Sequence, residues 1–343
     1  MARLKRRRSA LGQFFYDLRY RVGEYSLRGF IACLPYVPFV VVERFTALMA
    51  WIAFQLMPQY RRRMEENITL TLGKEIPSAA QRKELVWRAW GNFARGVLDT
   101  TAMMHYSKAR IISNVRLEGE EHLQSALAQG KGVLALSAHL GSFTMIGARL
   151  AAAGYPFSVI VKHPADERFA QLTDDYRAQV GIHTIPAKPR RDAVRGLLKA
   201  LRENRIVLVI ADEFKSGDVE VDFFGMQLPA PRGPATLALR TGAATLPMFA
   251  TREADDSLLL SVGAPIAAVE REDLEASVVA TTAVYTKHIE AAIRRYPDQW
   301  NWLGLPNRNG KKSRAEMLRE WKELKKSATA GQASEPRKTG TGA

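Results

Sequence analysis

Two kinds of hydrophobic patterning divide the chain. Residues 29–57 are almost wholly apolar, broken by Glu43, Arg44 and Gln55, and Pro35 and Pro38 limit any helix that runs through them. Residues 60–72 then read as a helix stopped by Gly73. Residues 77–104 read as a long one, with Leu85, Trp87, Trp90, Phe93, Val97 and Leu98 at steps of three and four. From Val115 the pattern changes to short apolar runs separated by helical stretches. Strands are expected at 115–117, 133–136, 157–161, 184–185, 206–211, 219–224, 244–250 and 258–262. Helices are expected at 120–129, from about 142, and at 165–180, 192–203, 234–241 and 278–295. This alternation predicts an α/β domain over 115–308. No internal repeat, glycine-rich dinucleotide loop or P-loop interrupts it.

The run Val133–Leu136 breaks at Ser137-Ala138-His139-Leu140-Gly141-Ser142, which places His139 on a turn from strand to helix. Open α/β sheets carry their chemistry there, beyond the carboxyl ends of the strands. A histidine in that position takes a proton from a hydroxyl, and a helix N-terminus beside it favours developing negative charge. The run 206–211 (IVLVIA) delivers Asp212 and Glu213 to a second strand end. Either carboxylate suits the task of orienting an imidazole and stabilising its charged form; a solvated strand-end turn is the plainer reading of the pair.

Charge refines the picture. The net charge is +15, and residues 1–28 and 308–343 each contribute +6, so the middle of the chain is only mildly basic. Nucleic-acid binders spread basic residues over a folded face and carry a reading motif. Basic ends beside an apolar stretch fit anionic headgroups instead. Residues 1–58 are therefore expected to be a monotopic or single-helix membrane anchor, with Glu43-Arg44 favouring a shallow lie and the Arg-rich start on the cytoplasmic side. No cleavage site of a signal peptide follows. Residues 59–114 form a helical segment, 309–326 a basic amphipathic helix that lies on the membrane or is solvated, and 327–343 a disordered tail. The single cysteine, Cys33, leaves no disulfide framework and no cysteine-rich metal site, and favours a reducing compartment.

Five segments in order carry a resemblance: HLGSF from His139, DDYRAQVG with Arg177, ADEFKSGDVEVDFFG, PAPRGPATLALRTGAATLP and YPDQWNWLGL. Together with WRAWGNFARGVLDT they resemble the bacterial lipid A biosynthesis acyltransferases, with the related phosphatidylinositol mannoside acyltransferases, over about residues 88–305. The resemblance implies an acyltransferase-like α/β fold, a mixed sheet flanked by helices. It implies transfer of a fatty acyl chain from acyl carrier protein or coenzyme A to a hydroxyl of a membrane glycolipid or lysolipid, such as a lipid A precursor, at the bacterial inner membrane. Neither a metal nor a redox cofactor is implied; membrane lipids and an acidic acyl carrier protein are the expected partners, and nucleic acid is not. His139 matches the family's base, Asp212 its later acid with Glu213 as near substitute, and Arg177 a functional arginine. Gly141 and Ser142 are placed to hold the oxyanion with their amides, while Phe224, Gly225 and Arg232 are expected along the cleft. One position departs from the pattern. The family carries an acidic residue after His and four residues, and here that position is Thr144. Losing the orienting carboxylate of a serine-hydrolase triad costs about four powers of ten in turnover. Hence either Asp212 supplies the carboxylate, or the enzyme is slow, specialised or inactive; an inactive chain would be a lapsed relative that binds lipid or a partner at the membrane.

Overall fold

The computed structural model describes residues 36–306 apart from 104–105, 164–166 and 215–216, with scattered positions between 18 and 29. The expected anchor lies partly, and the C-terminal helix and tail wholly, outside these residues. Within residues 36–306 the first helices are α1 (Phe39–Leu56), α2 (Pro58–Leu72) and α3 (Ala79–Met103). A short α4 (Lys108–Asn114), capped by the Ser107 side chain accepting from the Arg110 amide, leads into the sheet domain. There follow β1 (Val115–Glu118), α5 (Glu120–Leu127), β2 (Val133–Ser137), α6 (Thr144–Ala152), β3 (Phe157–Val161), α7 (Glu167–Val180) and β4 (Ile182–Pro186). The chain continues through α8 (Arg190–Arg202), β5 (Ile206–Ile210), the hairpin β6 (Val219–Phe223) and β7 (Met226–Ala230), α9 (Gly233–Thr241), β8 (Ala244–Arg252), β9 (Leu258–Val262) and α10 (Leu274–Arg295).

Seven strands form one sheet in the order β1-β9-β8-β2-β5-β3-β4, parallel except for the antiparallel pair β8 and β9. This is the mixed sheet flanked by helices that the resemblance implies. All five residues of β2 are buried, as a central strand covered on both faces requires. Their side chains alternate between two cores. Leu134 and Leu136 join Val207 and Val209 of β5 under α8, α9 and α10, whereas Val133 and Ala135 join Ile206 and Leu208 under α5 and α6.

The sequence pattern missed two elements. Helix α4 has seven residues, too short to show a period. Strand β7 contains Pro229, which demotes a run to an edge strand, the place it takes here beside β6 alone. The hairpin turns on Phe224 and Gly225, both at positive φ, the geometry of a tight two-residue loop.

Among the described residues no single helix is long and apolar enough to cross a membrane. Residues 40–56 and 58–72 meet that test only as a pair bent by 87° at Met57 and Pro58. Val40, Val41, Phe45, Leu48, Trp51 and Leu56 of α1 are nevertheless exposed.

Candidate active site

The register of the two central strands builds the site. Ser137 of β2 pairs with Ile210 of β5, so His139 and Asp212, each two residues further on, leave the sheet side by side. The His139 Nδ1 lies 2.8 Å from Asp212 Oδ1, and the His139 main-chain amide donates to Asp212 Oδ2 at 2.9 Å. Trp300 Nε1 donates to that same Oδ2 at 2.9 Å. Asp212 is only 3% exposed, so these donors replace the water its carboxylate gives up. The His139 side chain stays 36% exposed. With Nδ1 engaged by the carboxylate, proton exchange with a substrate falls to Nε2.

Two cavities meet at this imidazole. The smaller, about 190 Å³, is lined by Phe93, Gly96, Val97 and Thr100 of α3, by Gly141 and Ser142, and by residues 299–301. The larger, about 580 Å³, runs between α6, α7 and the strands β3 and β5. Its wall is mostly apolar (Phe157, Val159, Val161, Leu208 and Ile210), with Lys162, Arg177 and Glu213 as its charged members. His139, Phe143, Thr144 and Thr100 border both. Phe143 stands edge-on to the imidazole, ring centroids 5.1 Å apart. Gly147 lets α6 approach β3: a Cβ there would lie 2.6 Å from the Phe157 ring.

Thus His139, Thr144, Arg177 and Glu213 gather on the larger cavity, and Gly141, Ser142 and Thr144 on the smaller one. Asp212 lies behind His139, while Glu213, the next residue, turns outward. The Thr144 hydroxyl pairs with that of Thr100 at 2.7 Å. Arg177 donates to Asp174 at 2.7 Å, and Asp174 also meets His163 at 2.8 Å.

The amides of Gly141 and Ser142 do not fit the oxyanion role expected of them. They donate to Gln299 O at 2.8 Å and Ala250 O at 2.9 Å, because the turn after His139 is itself paired with neighbouring backbone. Phe224 and Gly225 sit on the β6–β7 turn and border neither cavity; the Phe224 amide donates to Glu290 at 3.0 Å. Arg232 pairs with Glu275 at 2.5 Å, also away from both cavities. In each case a partner distant in sequence, not the cleft, claims the group.

Sequence reasoning singled out none of the polar groups that come from afar, although Asp99 lies in the WRAWGNFARGVLDT segment. Ser142 Oγ donates to Asp99 of α3, and Asp99 accepts from Arg252 of β8 at 2.6 Å. Gln299 locks Arg252 from both sides, accepting its amide at 2.8 Å and donating to its carbonyl at 2.7 Å. The YPDQWNWLGL segment was the one available signal for Gln299 and Trp300. Among the described residues no group of three or more His, Cys, Asp or Glu is arranged to hold a metal ion.

The known proteins that this chain is similar to are acyltransferases. A phosphatidylinositol mannoside acyltransferase of Mycobacterium tuberculosis (strain CDC 1551 / Oshkosh) is 33% identical over 189 residues, 54% of this chain and 59% of that protein. The chain thus spans about three-fifths of that relative's length. Its counterpart from Mycolicibacterium smegmatis is 26% identical over 242 residues, covering 70% and 77% of the two chains. The lipid A biosynthesis lauroyltransferase of Escherichia coli (strain K12) is 23% identical over 271 residues, or 78% and 85%. The profile of the bacterial lipid A biosynthesis acyltransferases matches residues 17–305, from the first helices through the strap that carries Trp300, and the chain belongs to that family.

Proposed function

We propose that this protein transfers a fatty acyl chain from a thioester to a hydroxyl of a membrane glycolipid or lysolipid, with His139 as general base. The observation that carries the reading is the contact of His139 with the buried Asp212 at the junction of two cavities. The long apolar cavity suits an acyl chain, and the smaller one suits the acceptor's hydroxyl-bearing headgroup. Nε2 of His139 takes the hydroxyl proton as the oxygen attacks the thioester carbonyl. The tetrahedral intermediate collapses, the C–S bond breaks, and the leaving sulfur receives the proton back from the imidazolium. Asp212 holds the imidazole in the tautomer with Nδ1–H and stabilises its charged form. The first turn of α6, which begins at Thr144 between the cavities, supplies favourable dipole for the oxyanion. A thioester is already activated, so the step requires no metal or redox cofactor. Lys162 and Arg177 suit a phosphate of the donor's carrier arm at the cavity rim.

The donor is acyl carrier protein or coenzyme A thioester, and the place of work is the cytoplasmic face of the inner membrane. The exposed apolar face of α1 supports that location. The test uses purified protein in detergent with both thioesters and a panel of glycolipid and lysolipid acceptors. Wild type is expected to form acyl ester and free thiol in equal amounts. His139→Ala falls to background, and Asp212→Asn loses about 100-fold or more in turnover. Undiminished transfer by His139→Ala would overturn the reading. A silent wild type that gains transfer in Thr144→Glu would identify a lapsed relative.

A further inference from the structure

We propose that Trp300 is a positioning residue for the acyl-transfer step: its indole N–H fixes the carboxylate plane of Asp212 and, through it, the His139 imidazole. The inference rests on the acyl-transfer reading above. A carboxylate turns about a broad terminal torsion, so one hydrogen bond does not set its plane. Here Oδ2 takes two donors, the His139 amide and the Trp300 indole, each at 2.9 Å, and this leaves Oδ1 aimed at Nδ1 at 2.8 Å. Without the indole donor, Oδ2 keeps only the amide of the residue it is meant to orient.

Trp300 is itself held rigidly. It is 1% exposed, with its ring edge-on to Trp302 at 4.8 Å and to Phe223 at 5.8 Å. Its backbone bridges Leu140, and the next amide, that of Asn301, donates to the His139 carbonyl at 3.1 Å. The segment therefore grips His139 from the main chain and its partner carboxylate from the side chain.

A buried indole N–H always needs an acceptor, so the bond alone does not separate positioning from packing. Trp302 supplies the comparison. It is equally buried in the same aromatic cluster, but its Nε1 donates to the Pro297 carbonyl at 2.7 Å, remote from His139. Trp300→Phe and Trp302→Phe each remove one indole and keep an aromatic ring. A packing role makes the two variants alike; a positioning role separates them.

Steady-state transfer assays would be run on wild type, both tryptophan variants, Asp212→Asn and the Asp212→Asn/Trp300→Phe double variant. Trp300→Phe is expected to lower kcat about 10- to 100-fold with KM little changed, as for a lost hydrogen bond to a charged group. Trp302→Phe should stay near wild type, and the double variant no slower than Asp212→Asn. In proton NMR the far-downfield signal of His139 Nδ1–H, assigned by its loss in His139→Ala, should shift or broaden in Trp300→Phe and persist in Trp302→Phe. Equal kcat losses in both tryptophan variants, a loss confined to KM, or full additivity in the double variant would overturn the proposal. If Trp300→Phe does not fold, benzothienylalanine at position 300, a ring of the same shape without the N–H, is expected to give the same loss. The NMR comparison is independent of turnover, so active His139→Ala would sink the acyl-transfer reading while Trp300 is still judged on its own signal.

Discussion

The Thr144 hydroxyl lies 2.7 Å from that of Thr100, which also bonds back to the Gly96 carbonyl of its own helix. The position that the family resemblance reserves for an acidic residue therefore joins α6 to α3. The carboxylate that meets His139 comes from the end of the neighbouring strand, 73 residues later. On the proposed mechanism Thr144 tethers α6 to α3 and stands outside the proton path. Thr144→Val is expected to retain turnover within about tenfold of wild type, since a neutral hydrogen bond is worth about 0.5–1.5 kcal/mol. Asp212→Asn should cost far more in the same assay. If Thr144→Val proved as damaging as Asp212→Asn, the hydroxyl would have to act on His139 directly. The sequence made His139 and the two alternatives at the next strand end readable, because both follow clean apolar runs. The apolar pattern did not distinguish Asp212 from Glu213, and only the resemblance put Asp212 first. That choice depends on the parallel pairing of Ser137 with Ile210 and on which of two adjacent side chains turns inward.

The N-terminal helices reach the site through the strap at 298–305. Asn67 of α2 donates to the Trp302 carbonyl at 2.6 Å, and Arg63 to the Leu305 carbonyl at 2.7 Å. Arg88 and Asn92 of α3 hold Asp298, at 2.5 and 2.8 Å. The Trp90 indole of α3 ties in α1 through the Ala50 carbonyl at 2.9 Å. Phe93, 62% exposed, and Val97, 54% exposed, continue the open apolar side chains of α1 to the mouth of the smaller cavity. Burying a Phe or Leu side chain is worth about 1.5–3 kcal/mol, so a few such residues suffice for reversible attachment to a bilayer. The pair Phe45→Glu/Leu48→Glu, both exposed and remote from the polar contacts of the site, should reduce co-flotation with vesicles about tenfold or more. Activity on an acceptor dissolved in detergent should be kept. Unchanged flotation would remove α1 from the membrane contact. The apolar runs and periods of these helices were plain in the sequence. Their bonds to the strap were not, because each joins residues more than 200 positions apart through irregular backbone that has no period.

At the scale of the whole molecule, the small hairpin and α10 close one side of the sheet through a charged cluster. Glu290 of α10 accepts the Phe224 amide at 3.0 Å, Lys287 at 3.1 Å and the Nε and Nη2 of Arg294 at 3.0 and 2.8 Å. Arg294 reaches on to Glu75 and covers the Phe224 ring at 4.4 Å, and Lys287 reaches Asp222 at 2.5 Å. The hairpin turn, α10 and the loop after α2 are thus joined over the core that carries Phe223, Trp300 and Trp302. Burial opposes the ionised form of Glu290, but the Phe224 amide, Arg294 and Lys287 outweigh it and lower its pKa. A lowered folded pKa makes stability that is complete above the unfolded glutamate value, about 4.3, and lost as the pH falls through the folded value. Glu290→Gln removes the charge while leaving a carbonyl for the Phe224 amide. It should destabilise the fold by about 1–3 kcal/mol at pH 7, seen as a lower melting temperature. The difference should narrow below about pH 4, as protonation removes the wild-type charge that the variant lacks. Thermal melts of both proteins in the same detergent from pH 7 to pH 3 would decide it. A gap that stays constant with pH would mean that side-chain shape, not the carboxylate charge, closes the hairpin onto α10.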